Sequence, residues 1–248
     1  MARVSVIGNS GTGKSYGAGA IIERILDPNH PENAGSTFDI AVHFDFEDEE
    51  RGLSDADHDP LYQRLDVTPE VARNVDWIKL IYNHRKLRVV PDMTVEEATE
   101  LLGVICFAIM KICKELAPRM TGFLSVDEAH NFISQSNTDS RIHRLISGGR
   151  KHGVEFLAIS QRPVSLHTNV IGLSDRRIYF RVDEKNDING IQKVCGFNAN
   201  ILKRLQDRHC IIENKSSGEW VEEDTNNWTR IRPHYAKDDG IVDSALPV

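Results

Sequence analysis

The chain has 248 residues, 40% of them hydrophobic, and a formal net charge of −7. That length and apolar content predict one α/β domain with a real core over 1–225 and a loosely attached tail over 226–248, and they exclude a disordered chain. The acidic balance excludes a surface coated in basic charge, so any contact with nucleic acid must come from a local patch or from loops. In chain order, Val4, Val6 and Ile7 form a short apolar strand. Gly8, Asn9, Ser10, Gly11, Thr12, Gly13, Lys14 and Ser15 follow as "GNSGTGKS", the pattern G-x-x-x-x-G-K-[ST], and "YGAGAIIERIL" continues at helical spacing. A strand, a glycine-rich turn and a helix in this order predict a Walker A cradle for the phosphates of ATP. The glycines let the backbone turn its N–H groups toward phosphate oxygens, and the helix N-terminus adds its positive end. Lys14 then contacts the β- and γ-phosphates, and the Ser15 hydroxyl contacts Mg2+.

"FDIAVHFDF" (38–46) predicts a strand. The acidic run after it, "FEDEERGLSDADHD", reads as a solvated loop in which only Asp45 neighbours a site. "KLRVV" (86–90) predicts another strand, and 95–116 a long helix capped by Thr94. The apolar centre of that helix, "LLGVICFAIM" (101–110), is too short to span a bilayer. "GFLSVDEAH" is a buried strand with Asp127 and Glu128 at its C-terminal end, where an open α/β sheet binds its ligands. In a Walker B reading Asp127 shares the Mg2+ with Ser15, and Glu128 polarises the attacking water. His130 either orients Glu128 or only packs. A glutamate at this point favours an ATPase over a small GTPase or a nucleotide kinase.

"DSRIHRLISGGRKHG" then predicts a helix, "VEFLAIS" and "RRIYFRV" strands, "DINGIQKVCG" and "NANILKRLQD" helices, and "RHCIIEN" a strand. The alternation implies a mostly parallel sheet covered by helices on both faces. The basic stretches "HRKLR" (84–88) and "RIHR" (141–144) suit either phosphodiester contact or a solvated face, and no DNA contact is assigned to them. Cys106, Cys113, Cys195 and Cys210 form no C-x-x-C pair and read as buried free thiols of a reducing compartment. The phosphate loop begins where a signal peptide would stand, which predicts a protein that stays inside the cell.

The three blocks "GNSGTGKS", "FLSVDEAH", and "GRKHG" followed by a strand ending in "SQRP" resemble the HerA/FtsK superfamily of DNA-translocating ATPases, over Arg3 to Pro163. The resemblance implies a P-loop NTPase fold of RecA/ASCE type, with ATP and Mg2+ as cofactors. It implies that Arg150 is a finger reaching into a neighbouring subunit's site and that Gln161 is the polar sensor at the end of its strand. It also implies a ring, a hexamer, acting on double-stranded DNA. The residues alone support both roles less strongly: Arg150 also suits a basic helix C-terminus, and Gln161 a polar turn before Pro163.

Because the phosphate loop starts at residue 8 and no added domain is recognised, the chain resembles most the packaging ATPases of tailless icosahedral viruses with an internal membrane. That implies the host cytoplasm or the virion's packaging vertex, with capsid or viral membrane proteins as partners. Two other readings stand beside it: a cellular or plasmid translocase of the same superfamily, and a nucleotide-dependent scaffold or switch without motor activity.

Overall fold

The computed structural model describes residues 3–33, 35, 37–134 and 138–235. Nine strands form one sheet: β1 Val4–Ile7, β2 Ile40–Phe44, β3 Gln63–Val67, β4 Lys86–Pro91, β5 Gly122–Val126, β6 Val154–Ser160, β7 Arg176–Tyr179, β8 His209–Asn214 and β9 Trp220–Asp224. Their order is β3-β4-β2-β5-β6-β1-β7-β8-β9. From β3 to β7 every neighbouring pair is parallel, and β8 and β9 are added antiparallel at one edge. The mostly parallel sheet expected from the alternation of elements is present.

The helices are α1 Lys14–Leu26, α2 Pro69–Asn74, α3 Trp77–His84, α4 Val95–Lys111, α5 Ser140–Gly148, α6 Thr168–Leu173 and α7 Lys185–Gln192. Successive strand residues face opposite ways, and each face has its own core. Ile40, Val42 and Phe44 join the core under α3, α4 and α5, whereas Ala41 joins a second core with Ala18, Ile22 and Leu26 of α1. Strand β5 repeats the division, with Leu124 and Val126 in the first core and Phe123 in the second.

Thr94 caps α4 as expected, within a capping box completed by Glu97. The helix ends at Lys111 rather than at 116, where Ile112–Leu116 widens into a π-helical turn. The last predicted helix is shorter and tighter, a 3-10 helix over Ala199–Arg204. None of the four cysteines is bridged; three are buried and Cys195 is half-buried.

Two expectations fail for one reason, buried ion pairing. The acidic run is not a solvated loop throughout: Asp45, Glu50, Ser54 and Asp55 are buried. Arg88, from the basic stretch 84–88, is fully buried on β4, donating to Asp45 Oδ2 at 2.9 Å and to Ser54 Oγ at 3.0 Å. The tail is likewise held down over 226–235, where Arg232 donates to Asp27 at 2.8 Å and Arg230 to Glu50 at 2.7 Å. Residues 236–248 of that tail lie outside the described residues.

The Arg88–Asp45 pair carries a measurable consequence. Burial raises the Asp45 carboxyl, but Arg88 and His43 outweigh it and hold the group below its ordinary value, so it is charged inside the protein. Replacing Arg88 by Met leaves that charge without its main partner, which typically costs about 3–5 kcal/mol. Urea unfolding of R88M is expected to show a midpoint lowered to that extent with an unchanged slope.

Candidate active site

In a parallel sheet the loops that follow the strands gather at one edge. Here that edge collects the loop after β1, Asp45 to Glu50 after β2, Asp127 and Glu128 after β5, and Gln161 after β6. The strand order matters, because β6 lies between β1 and β5. It therefore delivers Gln161 between the phosphate loop and the two acids.

The loop is pinned to its neighbours by backbone bonds, Gly8 N–H to the Ser160 carbonyl at 3.2 Å and Asn9 N–H to the Arg181 carbonyl at 2.9 Å. The Thr12 hydroxyl closes it by donating to the Asn9 carbonyl at 2.8 Å. Gly13 has φ +96°, and an added Cβ would also lie 3.0 Å from Arg208 Cγ, so conformation and space both call for glycine. The 13-residue α1 starts directly afterwards, and its first-turn N–H groups have no acceptor within the helix. Ser10 and Gly11 line the mouth of a cavity of about 690 Å3 that also contains Lys14, Ser15 and Gln161.

Lys14 is 3% exposed, with Nζ 3.6 Å from Glu128 Oε1 and 3.9 Å from Asp127 Oδ1. Burial pulls its pKa down, but Asp127, Glu128 and Glu49 push it up by more, and the ammonium stays charged. Glu128 takes a left-handed backbone conformation, φ 44° and ψ 40°, uncommon for a residue with a side chain. In that conformation its carboxylate reaches Lys14, accepts from Gln161 Nε2 and lies 3.2 Å from His130 Nδ1. Burial lowers the pKa of His130 by more than Glu128 raises it, so the imidazole is neutral. His130 thus touches Glu128, which is the orienting option of the two open for it.

Asp127 is buried, and neither of its oxygens has a hydrogen-bond partner among the described residues. Burial pushes its carboxyl well above the ordinary range against the pull of Lys14, and the charges of Asp45, Glu128 and Glu49 push the same way. A buried carboxylate with two open oxygens has the donor chemistry that a hard divalent cation takes. Ser15 Oγ donates to Glu49 Oε2 at 2.8 Å. Glu49 is hidden in the acidic run, and its position becomes visible only once β2 is placed beside β5.

Arg150 is not part of this cluster. It lies in the 3-10 turn Gly149–His152 that precedes β6, with a half-exposed side chain 3.2 Å from Asp175 Oδ2. At about 3.3 Å per residue, β6 sets it on the order of 20 Å from the phosphate loop of its own chain. The structure brings Lys14, Ser15, Asp127, Glu128 and Gln161 to one edge of the sheet and leaves Arg150 at the opposite edge.

No family model matches the chain. A stretch of 73 residues is 34% identical to the "Probable DNA double-strand break repair helicase HerA" of Methanocaldococcus jannaschii, covering 28% of this chain and 14% of that protein. Among solved structures, the genome packaging NTPase B204 of Sulfolobus turreted icosahedral virus 2, in complex with ATP-gammaS, superposes with a TM-score of 0.60 at 18% identity, over 90% of this chain and 96% of that one. VirB4 of Thermoanaerobacter pseudethanolicus gives a TM-score of 0.56 at 11% identity, covering 89% and 88%. The fold is that of a P-loop ATPase of HerA/FtsK type. The pCW3 conjugation coupling protein TcpA shares this P-loop ATPase fold with a TM-score of 0.51 at 13% identity, over 96% of this chain and 61% of that one. The strand order that brings Gln161 beside the acids is part of this fold, and the acidic loop after β2 is placed by it as well.

Proposed function

We propose that the chain binds and hydrolyses ATP to move double-stranded DNA, as the motor of viral genome packaging. The observation that carries the reading is the buried cluster at the sheet edge. Lys14 stands against Asp127 and Glu128, with Gln161 bonded to Glu128, at the base of a cavity lined by the phosphate loop. Lys14 meets the β- and γ-phosphates there, and Glu128 takes the proton of the attacking water. His130 and Gln161 hold the Glu128 carboxylate in place. Ser15 and Asp127 are the residues that would hold Mg2+, which supplies positive charge across the β- and γ-phosphates when bound. ATP analogues sit in the B204 structures, whose fold this chain shares.

A half-exposed guanidinium far from its own loop is placed to serve a neighbour, so the reading includes a ring, a hexamer, in which Arg150 completes the adjacent site. The motor would work in the host cytoplasm or at the packaging vertex, docked on capsid or viral membrane proteins. Among the described residues no helix is long and apolar enough to cross a membrane. Residues 1–225 form the ATPase domain in this reading.

The test is steady-state ATP hydrolysis with and without linear double-stranded DNA. Acceleration of several-fold by the duplex is the expected result. Slow turnover indifferent to DNA would instead support a nucleotide-dependent scaffold or switch.

A further inference from the structure

The cavity over the phosphate loop has a second wall of different chemistry. Opposite Lys14 and Ser15 stand Tyr16, His234 and Tyr235, with Arg208 beside them. The rings of Tyr16 and His234 meet edge to face, centroids 6.0 Å apart and planes at 85°. The Arg208 guanidinium carbon is 5.2 Å from the centroid of the same tyrosine. Arg208 is also tied to the phosphate loop, its N–H donating to the Thr12 carbonyl at 2.8 Å. Burial, with Arg230 and Arg208 adding to it, lowers the pKa of His234 to about 4, so this wall presents a neutral ring at physiological pH.

The segment carrying His234 and Tyr235 is fastened to α1 and to the acidic loop. Arg230 donates to the Tyr16 carbonyl at 3.1 Å and to Glu50 at 2.7 Å, and the backbone N–H groups of Ile231 and Arg232 donate to Glu23 at 2.6 and 3.0 Å. The Arg230 guanidinium crosses α1 at Gly19, where an added Cβ would lie 2.4 Å from Arg230 Nη1. The Tyr235 hydroxyl donates to Asp55 at the far end of the same loop. These ties set the aromatic wall at a fixed distance from the phosphate loop.

We infer that this wall is the base subsite, in which the nucleobase of a nucleoside triphosphate stacks on Tyr16 and His234 beside the Arg208 guanidinium, with the triphosphate running onto the loop. The inference rests on the nucleotide-binding reading above and extends it to residues of the C-terminal segment. A cavity of about 690 Å3 is in the ordinary range for a small-molecule site. Nucleobases have apolar π-faces that aromatic rings and guanidinium planes both accept.

Calorimetric titration of the full chain with ATP, ADP and inorganic tripolyphosphate separates the two walls. Tyr16→Ala and His234→Ala are each expected to weaken ATP and ADP by roughly 5- to 150-fold, the effect of losing one stacking partner. Tripolyphosphate, which has no base, should keep its wild-type affinity in both variants. His234→Phe, which keeps a ring, should bind ATP close to the wild-type level. Variants with unaltered melting temperature that weakened tripolyphosphate as much as ATP, or left ATP unaffected, would overturn the base subsite while leaving the phosphate cradle intact. Wild-type protein that bound neither ATP nor tripolyphosphate would overturn the nucleotide reading itself, and this inference with it.

Discussion

Glu128→Gln protein is expected to bind ATP like the wild type and to hydrolyse it about 10²- to 10⁴-fold more slowly, the contribution usual for a general base. Lys14→Ala is expected to lose binding as well. The geometry separates the two outcomes. The amide introduced by Glu128→Gln keeps the shape of the carboxylate and can still meet Gln161 and His130, so the cradle stays assembled. It cannot take a proton from water as readily. Lys14 is the buried cation between Asp127 and Glu128, and without it two carboxylates face a triphosphate of the same charge. Filter binding of labelled ATP and single-turnover hydrolysis, measured on the same preparations, check both halves. Turnover of Glu128→Gln at the wild-type rate would remove Glu128 from the water-activating role.

The parts of this site that are legible in the sequence are those whose chemistry is contiguous. "GNSGTGKS" and "VDEAH" each carry a strand end and its functional groups within a few residues, and a parallel sheet sends all such ends to one edge. The acidic loop reads wrongly from sequence because its partners are remote: Arg88 stands 43 positions from Asp45, and Arg230 stands 180 from Glu50. No local pattern distinguishes a carboxylate facing water from one facing an arginine that arrives later in the chain. The same blindness makes the C-terminal segment look like a tail, since its prolines and charges are what a loose end contains, while Arg230 and Arg232 go to acids on α1 and after β2.

The missed elements are edges and short pieces. β3 has only Leu65 and Val67 buried among polar neighbours, and β9 is mostly exposed, so neither shows the apolar run that marks β5 or β6. The helices α2 and α3 do leave a signal, Thr68 and Asp76 each accepting a first-turn N–H as caps. Each helix is too short for its periodicity to stand out between loops.

Arg150→Ala subunits are expected to bind ATP normally and to hydrolyse it about 10³- to 10⁵-fold more slowly as a uniform ring, the loss that follows removal of an arginine finger. The fold sharpens this expectation. Arg150 precedes β6 whereas the phosphate loop follows β1, and the two strands run parallel, so the guanidinium cannot reach the γ-phosphate of its own subunit. Its partner Asp175 holds it through a half-exposed pair, worth about 0.2–1 kcal/mol at most sites, so releasing the side chain toward a neighbour costs little. Mixed rings provide the decisive measurement. An Arg150→Ala subunit keeps Glu128 and can borrow the arginine of a Glu128→Gln neighbour, so two preparations inactive alone should regain partial turnover when co-assembled. The recovered rate should rise and fall with the mixing ratio, peaking where unlike neighbours are most frequent. If co-assembly is demonstrated and the mixture stays inactive, Arg150 serves only to tie its turn to Asp175, and the ring loses the residue that would connect one site to the next.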